Sequence, residues 1–164
     1  MLDIPTYAAG QPVPTWAAQY IGIPYALGGR SMDGCDCWGL CVLVIADQFE
    51  KNPPRCEGWV WDAKTRGDIR RSVGDFMDRV ASTLFDPVEP GKEEAGDVIL
   101  LRISGSPLHV GIVAAPGVML HSAEGADSAL ERYDGTFWKK RVMGLYRLRD
   151  DANERMLGEV WRMG

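Results

Sequence analysis

Residues 22–40 read GIPYALGGRSMDGCDCWGL, a stretch that runs directly into an apolar segment. Its first part is dense in Gly and Pro, which is typical of a loop. The continuation, DCWGLCVLVIADQF, predicts a helix over residues 37–49. Asp36 is a good N-cap for it, because its carboxylate can accept a hydrogen bond from an otherwise unpaired amide. Since the helix is apolar nearly all round, we expect it to be buried at the centre of the fold.

Helical patterns also flank this segment. Residues 14–21, PTWAAQYI, predict a short helix with Pro near its start. Residues 50–66 predict a loop that carries KNPPR and the aromatic residues Trp59 and Trp61. A second helix is predicted over about residues 67–84, where apolar side chains recur at helical spacing and form one face: Ile69, Val73, Phe76, Met77, Val80 and Leu84.

The pattern changes after DPVEPG at residues 86–91, which predicts a break. Short strands separated by Gly, Pro or Ser are then predicted: GDVILLRI, LHVGIVAA, VMLHSA and RVMGLYRL. Helices followed by consecutive strands predict an α+β fold, with the helices packed on one face of an antiparallel sheet. We expect residues 1–164 to form one domain, with its core in residues 14–148 and a peripheral tail at 149–164.

Composition narrows the classes of function. The chain has 164 residues, 46% hydrophobic and 25% charged, as expected for one globular domain. A net charge of -5 gives no electrostatic reason to expect nucleic acid or an anionic membrane as a partner. The N-terminus lacks the pattern of a secretory signal, and the apolar runs are shorter than the ~20 residues of a membrane span. We therefore expect the chain to be made and folded in a cytoplasm.

The cysteines lie at positions 35, 37, 41 and 56. An even count permits disulfides, but the chain is neither short nor evidently secreted. The spacing C-x-C-x3-C lacks the paired C-x-x-C clusters of zinc sites, and both histidines lie far along the chain. We expect neither a metal nor another cofactor.

Cys37 has the best position for chemistry. A thiol is a poor nucleophile until it loses its proton. In the first turn of a helix, unpaired amides and the macrodipole stabilise the negative charge, and the preceding loop lets the sulfur reach a cleft. Cys41 lies one turn further into an apolar helix and is predicted to pack. Cys35 flanks the site and is expected to be partly exposed, whereas Cys56 lies in a loop with no obvious partner.

The only two histidines, His109 and His121, fall on neighbouring predicted strands. A three-residue turn that pairs Ala114 with Val118 would put His109 opposite Ala123. His121 would then be its diagonal neighbour on the same face, roughly 7–8 Å away. A two-residue turn would put the histidines on opposite faces. If both histidines lie on one face, one imidazole could take the thiol proton and the other could orient the first imidazole.

Each of these signals is weak when taken alone. A lone cysteine at a helix start is more often structural than catalytic, and a lone histidine on a strand is usually a satisfied polar residue. The constellation is stronger, because both histidines share one predicted hairpin and a cysteine lies at a capped helix start.

Two segments resemble the NlpC/p60 family of cell-wall peptidases. Residues 20–49 resemble the family's cysteine box, roughly G-x-P-Y-x-x-G-G, a short spacer, then D-C-x-G-L on a helix. Residues 95–125, AGDVILLRISGSPLHVGIVAAPGVMLHSAEG, resemble its histidine box, in which G-D and an apolar strand lead to H-V-G-I. A polar residue on the next strand completes that box. The two boxes occur in the family's order.

This resemblance implies a trimmed papain-like fold and a role for each matching residue. It implies Cys37 as nucleophile, His109 as base and His121 as the polar residue that orients the base. Tyr25 matches a tyrosine thought to help stabilise the oxyanion, and we group Asp36 and Trp38 with it as oxyanion or substrate-binding residues. Members of the family usually cleave peptide bonds in peptidoglycan stem peptides, typically between D-glutamate and a diamino acid.

The cysteine box departs from the bacterial pattern at two positions. Trp38 replaces a common Ser after the nucleophile, and Cys35 replaces a common Phe. We expect Trp38 to shape the cleft differently. The version GCDCWGL looks more like members associated with the tail tips of phages and gene-transfer agents. The resemblance thus implies a virion tail as location, tail hub or tail-tip proteins as partners, and a role in wall penetration during DNA delivery.

Two other functions remain open. The chain could be a structural tail-tip subunit that docks through aromatic and apolar residues, with little or no catalysis. The candidate docking residues lie in the 59–61 loop and in the tail: Trp59, Trp61, Met156, Val160 and Trp161. The same pair of residues could also serve an amidase or an acyltransferase, because one fold can support several reactions.

Overall fold

An antiparallel sheet of six strands is the largest element of the computed structural model, which describes residues 6–8, 11–55, 82–103 and 106–152. The strands lie in the order β5-β10-β6-β7-β8-β9. Their bounds are β5 Phe85–Val88, β6 Val98–Ile103, β7 Ser106–Ala115, β8 Val118–His121, β9 Ala129–Arg132 and β10 Val142–Leu148. Two short hairpins precede the sheet, formed by β1 Thr6–Ala8 with β2 Gln11–Pro12 and by β3 Arg30–Ser31 with β4 Gly34–Cys35.

The predicted central helix, α1, spans Cys37–Phe49, and Asp36 is its N-cap. It ends at Glu50, whose backbone adopts the left-handed conformation with φ 53°. The segment predicted as a short N-terminal helix forms a 3-10 helix over Thr15–Tyr20. The residues between these helices are mainly loop, as predicted, and also contain the β3–β4 hairpin.

The sheet has a core on each face. Alternate side chains of β6 point into different cores, because successive residues of a strand point to opposite faces of the sheet. Val98 and Leu100 belong to the cluster that contains α1, whereas Ile99 and Leu101 belong to a second cluster with Trp138. The predicted α+β class, with helical structure packed on an antiparallel sheet, is confirmed.

Two strands of the six-stranded sheet, β5 and β9, lie outside the predicted set. The segment predicted as a break begins within β5, which pairs with β10 so that Pro87 lies opposite Tyr146. A proline is compatible with this position because β5 is an edge strand. The second strand, β9, lies in a segment for which the sequence pattern predicted no element. Both strands are short, and each is defined by its pairing with another strand.

Several predictions concern residues outside the described part of the chain. The helix predicted over 67–84 is one of them, except for its last turn, Ser82–Leu84, which is helical. The 56–66 segment with Cys56 and the tail from residue 153 onward are the others. Within the described ranges, the helices are too short or too polar to cross a bilayer.

Candidate active site

The β7–β8 hairpin brings the two histidines together, although its turn differs from the predicted one. The turn has two residues, with Ala115 paired to Val118. Beyond it, Val113 pairs with Met119, so Ala114 is an extra residue that forms a β-bulge. The bulge restores the register that the predicted three-residue turn would have produced, and it places both imidazoles on one face.

The imidazole rings are in direct contact. Nε2 of His109 lies 2.9 Å from Nδ1 of His121, within hydrogen-bond distance. On the far side, Nε2 of His121 lies 2.6 Å from Oε2 of Glu131. Glu131 pairs with Met119 across β8 and β9, which makes it a diagonal neighbour of His121 on the same face. We call His109, His121 and Glu131 the imidazole row.

Glu131 and Trp138 were not among the predicted site residues. Glu131 lies in β9, where the segment ALER is too short for a clear alternating pattern. Trp138 stacks on His109 with ring centroids 5.6 Å apart and planes at 19°, and it meets His121 edge-on at 5.6 Å. Its indole Nε1 is buried without a hydrogen-bond partner among the described residues. The aromatic pair Phe137–Trp138 was the available signal, but an aromatic residue in a loop does not by itself indicate a site.

Burial keeps both imidazoles neutral. His109 is 4% exposed, and burial lowers its pKa to about 3, with a smaller contribution from the neighbouring His121. Burial also lowers the pKa of His121, and the Glu131 carboxylate opposes that shift. A buried histidine without a carboxylate on its own ring loses its proton more easily than one that has such a partner. His109 is therefore neutral at neutral pH, and one of its ring nitrogens carries a lone pair.

Cys37 begins α1, and its sulfur lies against β7. The backbone amides of Val110 and Trp38 donate hydrogen bonds to it. Val110 directly follows His109, so the thiol is adjacent to the segment of β7 that carries the predicted base. This adjacency links the helix start to the imidazole row.

The thiol is protonated in this structure, contrary to the expectation that the helix start would favour ionisation. Burial raises the pKa of Cys37 to about 12, and the Asp36 carboxylate adds to the increase. The two backbone amides and the Arg30 guanidinium oppose it without overcoming it. The cause is that burial removes the water which would solvate a thiolate.

Asp36 holds the loop and the helix start together. Its Oδ1 accepts from the Gly39 amide and from Arg30 Nη1, and its Oδ2 accepts from the Gly28 amide, each at 2.8 Å. The Asp36 side chain is 1% exposed and the Arg30 side chain 4%. The grouping of Asp36 with the substrate-binding residues is therefore wrong, because its carboxylate is fully engaged inside the protein.

The glycine of CWGL has a steric role in this arrangement. A Cβ atom on Gly39 would collide with the carbonyl oxygen of Gly29. The loop before the nucleophile thus packs directly on the first turn of α1. This contact gives the Gly28–Gly29 pair a role beyond the simple turn that its sequence suggests.

The side chain of Trp38 lies in the core rather than in the cleft that it was predicted to shape. It is 2% exposed, its Nε1 donates to the Pro54 carbonyl at 2.8 Å, and its ring meets Phe85 edge-on at 6.3 Å. Side chains at successive helical positions point in different directions, so the side chain of Trp38 does not follow that of Cys37. The contact that Trp38 makes with the sulfur of Cys37 is a hydrogen bond from its backbone amide.

Tyr25 lies near Cys37. It is half-buried, and its backbone forms an isolated bridge to Cys35. Burial raises the pKa of its phenol, and the nearby groups of Cys37, Asp36 and Glu124 raise it further. The phenol is therefore neutral and keeps its proton available for donation.

The remaining described cysteines are packing residues. Cys41 is 0% exposed, as predicted, but Cys35 is also 0% exposed rather than partly exposed. Burial raises the pKa of Cys35 to about 11 and that of Cys41 well above its usual value. Over the described ranges, no three His, Cys, Asp or Glu side chains are grouped so that they could hold a metal ion.

Comparison with known proteins gives a consistent assignment. The model of the NlpC/P60 family matches residues 22–147. The murein DD-endopeptidase MepS/murein LD-carboxypeptidase of Escherichia coli K12 is 24% identical over 124 residues, covering 76% of this chain and 55% of that protein. The probable endopeptidase NlpC of the same strain is 26% identical over 121 residues, covering 73% of this chain and 65% of that protein.

The fold has counterparts among solved structures. An NlpC/P60 family protein from Bacillus cereus superposes with a TM-score of 0.55 at 18% identity, covering 84% of this chain and 41% of that one. At this identity the likeness concerns the fold alone, and it confirms the papain-like architecture that the resemblance implied. The chain spans between about half and two thirds of the length of the two Escherichia coli relatives.

Proposed function

The chain belongs to the NlpC/P60 family, and from that premise we propose that it is a cysteine peptidase that hydrolyses peptide bonds in peptidoglycan stem peptides. The observation that carries the proposal is the position of the Cys37 sulfur. It accepts a hydrogen bond from the amide that follows His109, and His109 is in turn in contact with His121. The names of the two Escherichia coli relatives, a murein endopeptidase and a probable endopeptidase, support the class of substrate.

The reaction begins from a neutral thiol and a neutral imidazole. The sulfur of Cys37 attacks the carbonyl carbon of the scissile amide while its proton passes to His109. Backbone amides in the first turn of α1, together with the Tyr25 hydroxyl, bind the negative oxygen that develops. One such donor typically contributes about 3 kcal/mol of transition-state stabilisation.

Two further proton transfers complete the cycle. The imidazolium of His109 gives its proton to the leaving amine as the C–N bond breaks, which leaves a thioester on Cys37. His109 then takes a proton from water, and the hydroxide adds to the thioester carbonyl. Collapse of that adduct releases the carboxylate product, and the proton returns to the sulfur.

The direct test is digestion of purified peptidoglycan by wild type and by Cys37→Ala, with the released fragments measured by mass spectrometry. We expect wild type to release stem-peptide fragments and Cys37→Ala to release none. Cys41→Ala is a matched control, because Cys41 lies one turn further along the same helix and is also buried. It should retain activity. Release of the same fragments by Cys37→Ala, or inert wild type, would contradict the proposal.

The scissile bond follows from the same experiment. We propose cleavage between D-glutamate and the diamino acid, on the resemblance of the two sequence boxes to those of the family. Each hydrolysed bond adds one water to the mass and creates a new amine on the diamino acid. Fragments that end at another bond would show that a different bond is cleaved. They would not change the role of Cys37 as nucleophile.

We also propose that the chain acts from the tail tip of a phage or gene-transfer agent, bound to tail hub proteins. The support is the sequence GCDCWGL, which resembles members of that group. An antibody against the chain, used on purified particles from the source organism, tests the location. Detection in intact particles that deliver DNA supports this role, and consistent absence from them contradicts it.

A further inference from the structure

The imidazole row ends in a carboxylate that the proposed reaction does not use. Glu131 lies in β9, and four strands, β5 to β8, lie between Cys37 and β9 along the chain. The side chain of Glu131 is 46% exposed. It touches His121 at 2.6 Å, and His121 touches His109 at 2.9 Å. Both ring nitrogens of His121 are therefore occupied, one by Glu131 and one by His109.

These contacts leave one arrangement of protons. A carboxylate only accepts, so Nε2 of His121 must carry the hydrogen that bonds to Glu131. A neutral imidazole carries a single N–H, which makes Nδ1 of His121 an acceptor. The hydrogen between the two rings must then come from Nε2 of His109. Nδ1 of His109 is left with a free lone pair, and that is the form that can take a proton.

Without the carboxylate, a second arrangement would compete. His121 could carry its proton on Nδ1 and donate to Nε2 of His109. The single proton of neutral His109 would then lie on Nδ1, and the lone pair would be consumed by the contact between the rings. The two arrangements have the same geometry of heavy atoms, so the histidines alone do not select between them.

We propose that Glu131 is a positioning residue that selects the tautomer of both histidines and thereby keeps Nδ1 of His109 unprotonated for the thiol. The inference rests on the proposed function for its effect on activity. Its effect on the protons of the two rings does not depend on which substrate is cleaved. If Glu131 were only a surface residue, its removal would not change which ring carries the hydrogen between His109 and His121.

The sequence makes this inference directly measurable, because the chain contains two histidines and no others. A sample labelled with nitrogen-15 histidine shows only the rings of residues 109 and 121. In wild type we expect both rings to be protonated on Nε2 and bare on Nδ1. In Glu131→Leu we expect a population protonated on Nδ1 to appear at both rings, since the acceptor that selects the tautomer is gone.

Activity provides the second readout. We expect kcat of Glu131→Leu on stem peptides to fall about 10- to 100-fold with little change in KM, by analogy with the loss that follows removal of the hydrogen-bond partner of a metal-bound histidine. Glu131→Gln restores an acceptor oxygen without the charge, so both its tautomers and its kcat should lie between those of wild type and Glu131→Leu. Glu89→Leu removes a carboxylate whose side chain is 78% exposed and paired with Lys92, and it should change neither readout.

The two readouts separate the two proposals. If Glu131→Leu keeps both rings protonated on Nε2, the positioning role is wrong, whatever the activity. If the tautomers shift but wild type cleaves no stem peptide, the positioning role stands and the proposed substrate fails.

Discussion

The helix start and the imidazole row achieve the same result, a buried and neutral reactive group, by opposite means. The Asp36 carboxylate holds the Cys37 segment through partners at most eight positions away in the chain. The row instead joins side chains from three strands, at residues 109, 121 and 131. The difference shows that the nucleophile is placed by local backbone capping, whereas the base is placed by strand register.

Burial shifts the pKa values of Cys37 and His109 in opposite directions. Burial raises the pKa of the Cys37 thiol to about 12 and lowers that of the His109 imidazole to about 3. Both shifts disfavour the charged form, so the pair is at rest as thiol and neutral imidazole. Charge separation is therefore expected only when a substrate carbonyl is present to receive the attack.

Removal of the base should have the largest effect. We expect His109→Gln to lower kcat/KM on stem peptides about 1,000-fold, within the range attributed to a general base. The glutamine amide can still donate to Nδ1 of His121, which keeps the row connected. Kinetics on purified stem peptides provide the measurement, and an unchanged circular dichroism spectrum is the control for folding. A decrease in kcat/KM smaller than tenfold would mean that His109 is not the base for the Cys37 thiol.

Disruption of the helix start should instead act on stability. Asp36→Ala removes three hydrogen bonds and leaves the buried Arg30 guanidinium without its carboxylate. We expect the free energy of unfolding to fall by about 3–5 kcal/mol, as is typical when one partner of a buried ion pair is removed. Chemical denaturation measures this change.

A double variant tests the cause of that loss. Adding Arg30→Met to Asp36→Ala should recover part of the lost stability, since the buried guanidinium that has lost the Asp36 carboxylate is then absent. A loss below 1 kcal/mol in Asp36→Ala, or no recovery in the double variant, would show that the helix start does not depend on this pair.

The smallest expected effect is the acid sensitivity of the row. The folded protein keeps His109 neutral down to about pH 3, whereas the unfolded chain binds that proton below about pH 6.5. Stability is therefore lost as the pH falls through this window, because the unfolded state binds more protons. His109→Gln lacks this proton, so its stability relative to wild type should improve by about 2 kcal/mol between pH 6.5 and pH 5. Denaturation curves at both pH values measure the difference, and a constant difference would contradict the neutral buried imidazole.

Much of the helix start could be predicted because its determinants are close in sequence. The apolar run after Asp36 and the short side-chain reach of an N-cap are local properties, and the structure places α1 at the predicted residues. The exposure of Cys35 and the position of the Trp38 side chain could not be predicted, since burial depends on what packs against a residue. The resemblance to a family identified the cysteine and histidine boxes but carried no information about those two side chains.

The sheet was harder to predict, because part of it depends on residues that are distant in sequence. The segments of β6, β7, β8 and β10 were recognisable from their apolar patterns, but β5 and β9 are stabilised by partners distant in sequence. The same is true of the bulge at Ala114, which corrects the register that a two-residue turn would otherwise impose. Glu131 lies beside His121 only because β9 pairs with β8, and the sequence pattern did not predict that pairing.

The sequence by itself determined the α+β class, the capped helix that begins at Cys37 and the pairing of the two histidines in one hairpin. Each of these follows from residue types and spacings within a short segment, where the backbone has few alternatives. Only the tertiary structure decided that both reactive groups are neutral, that Trp138 stacks on His109 and that Glu131 completes the row. Those properties depend on burial and on contacts between distant strands, and the local order of residues does not specify them.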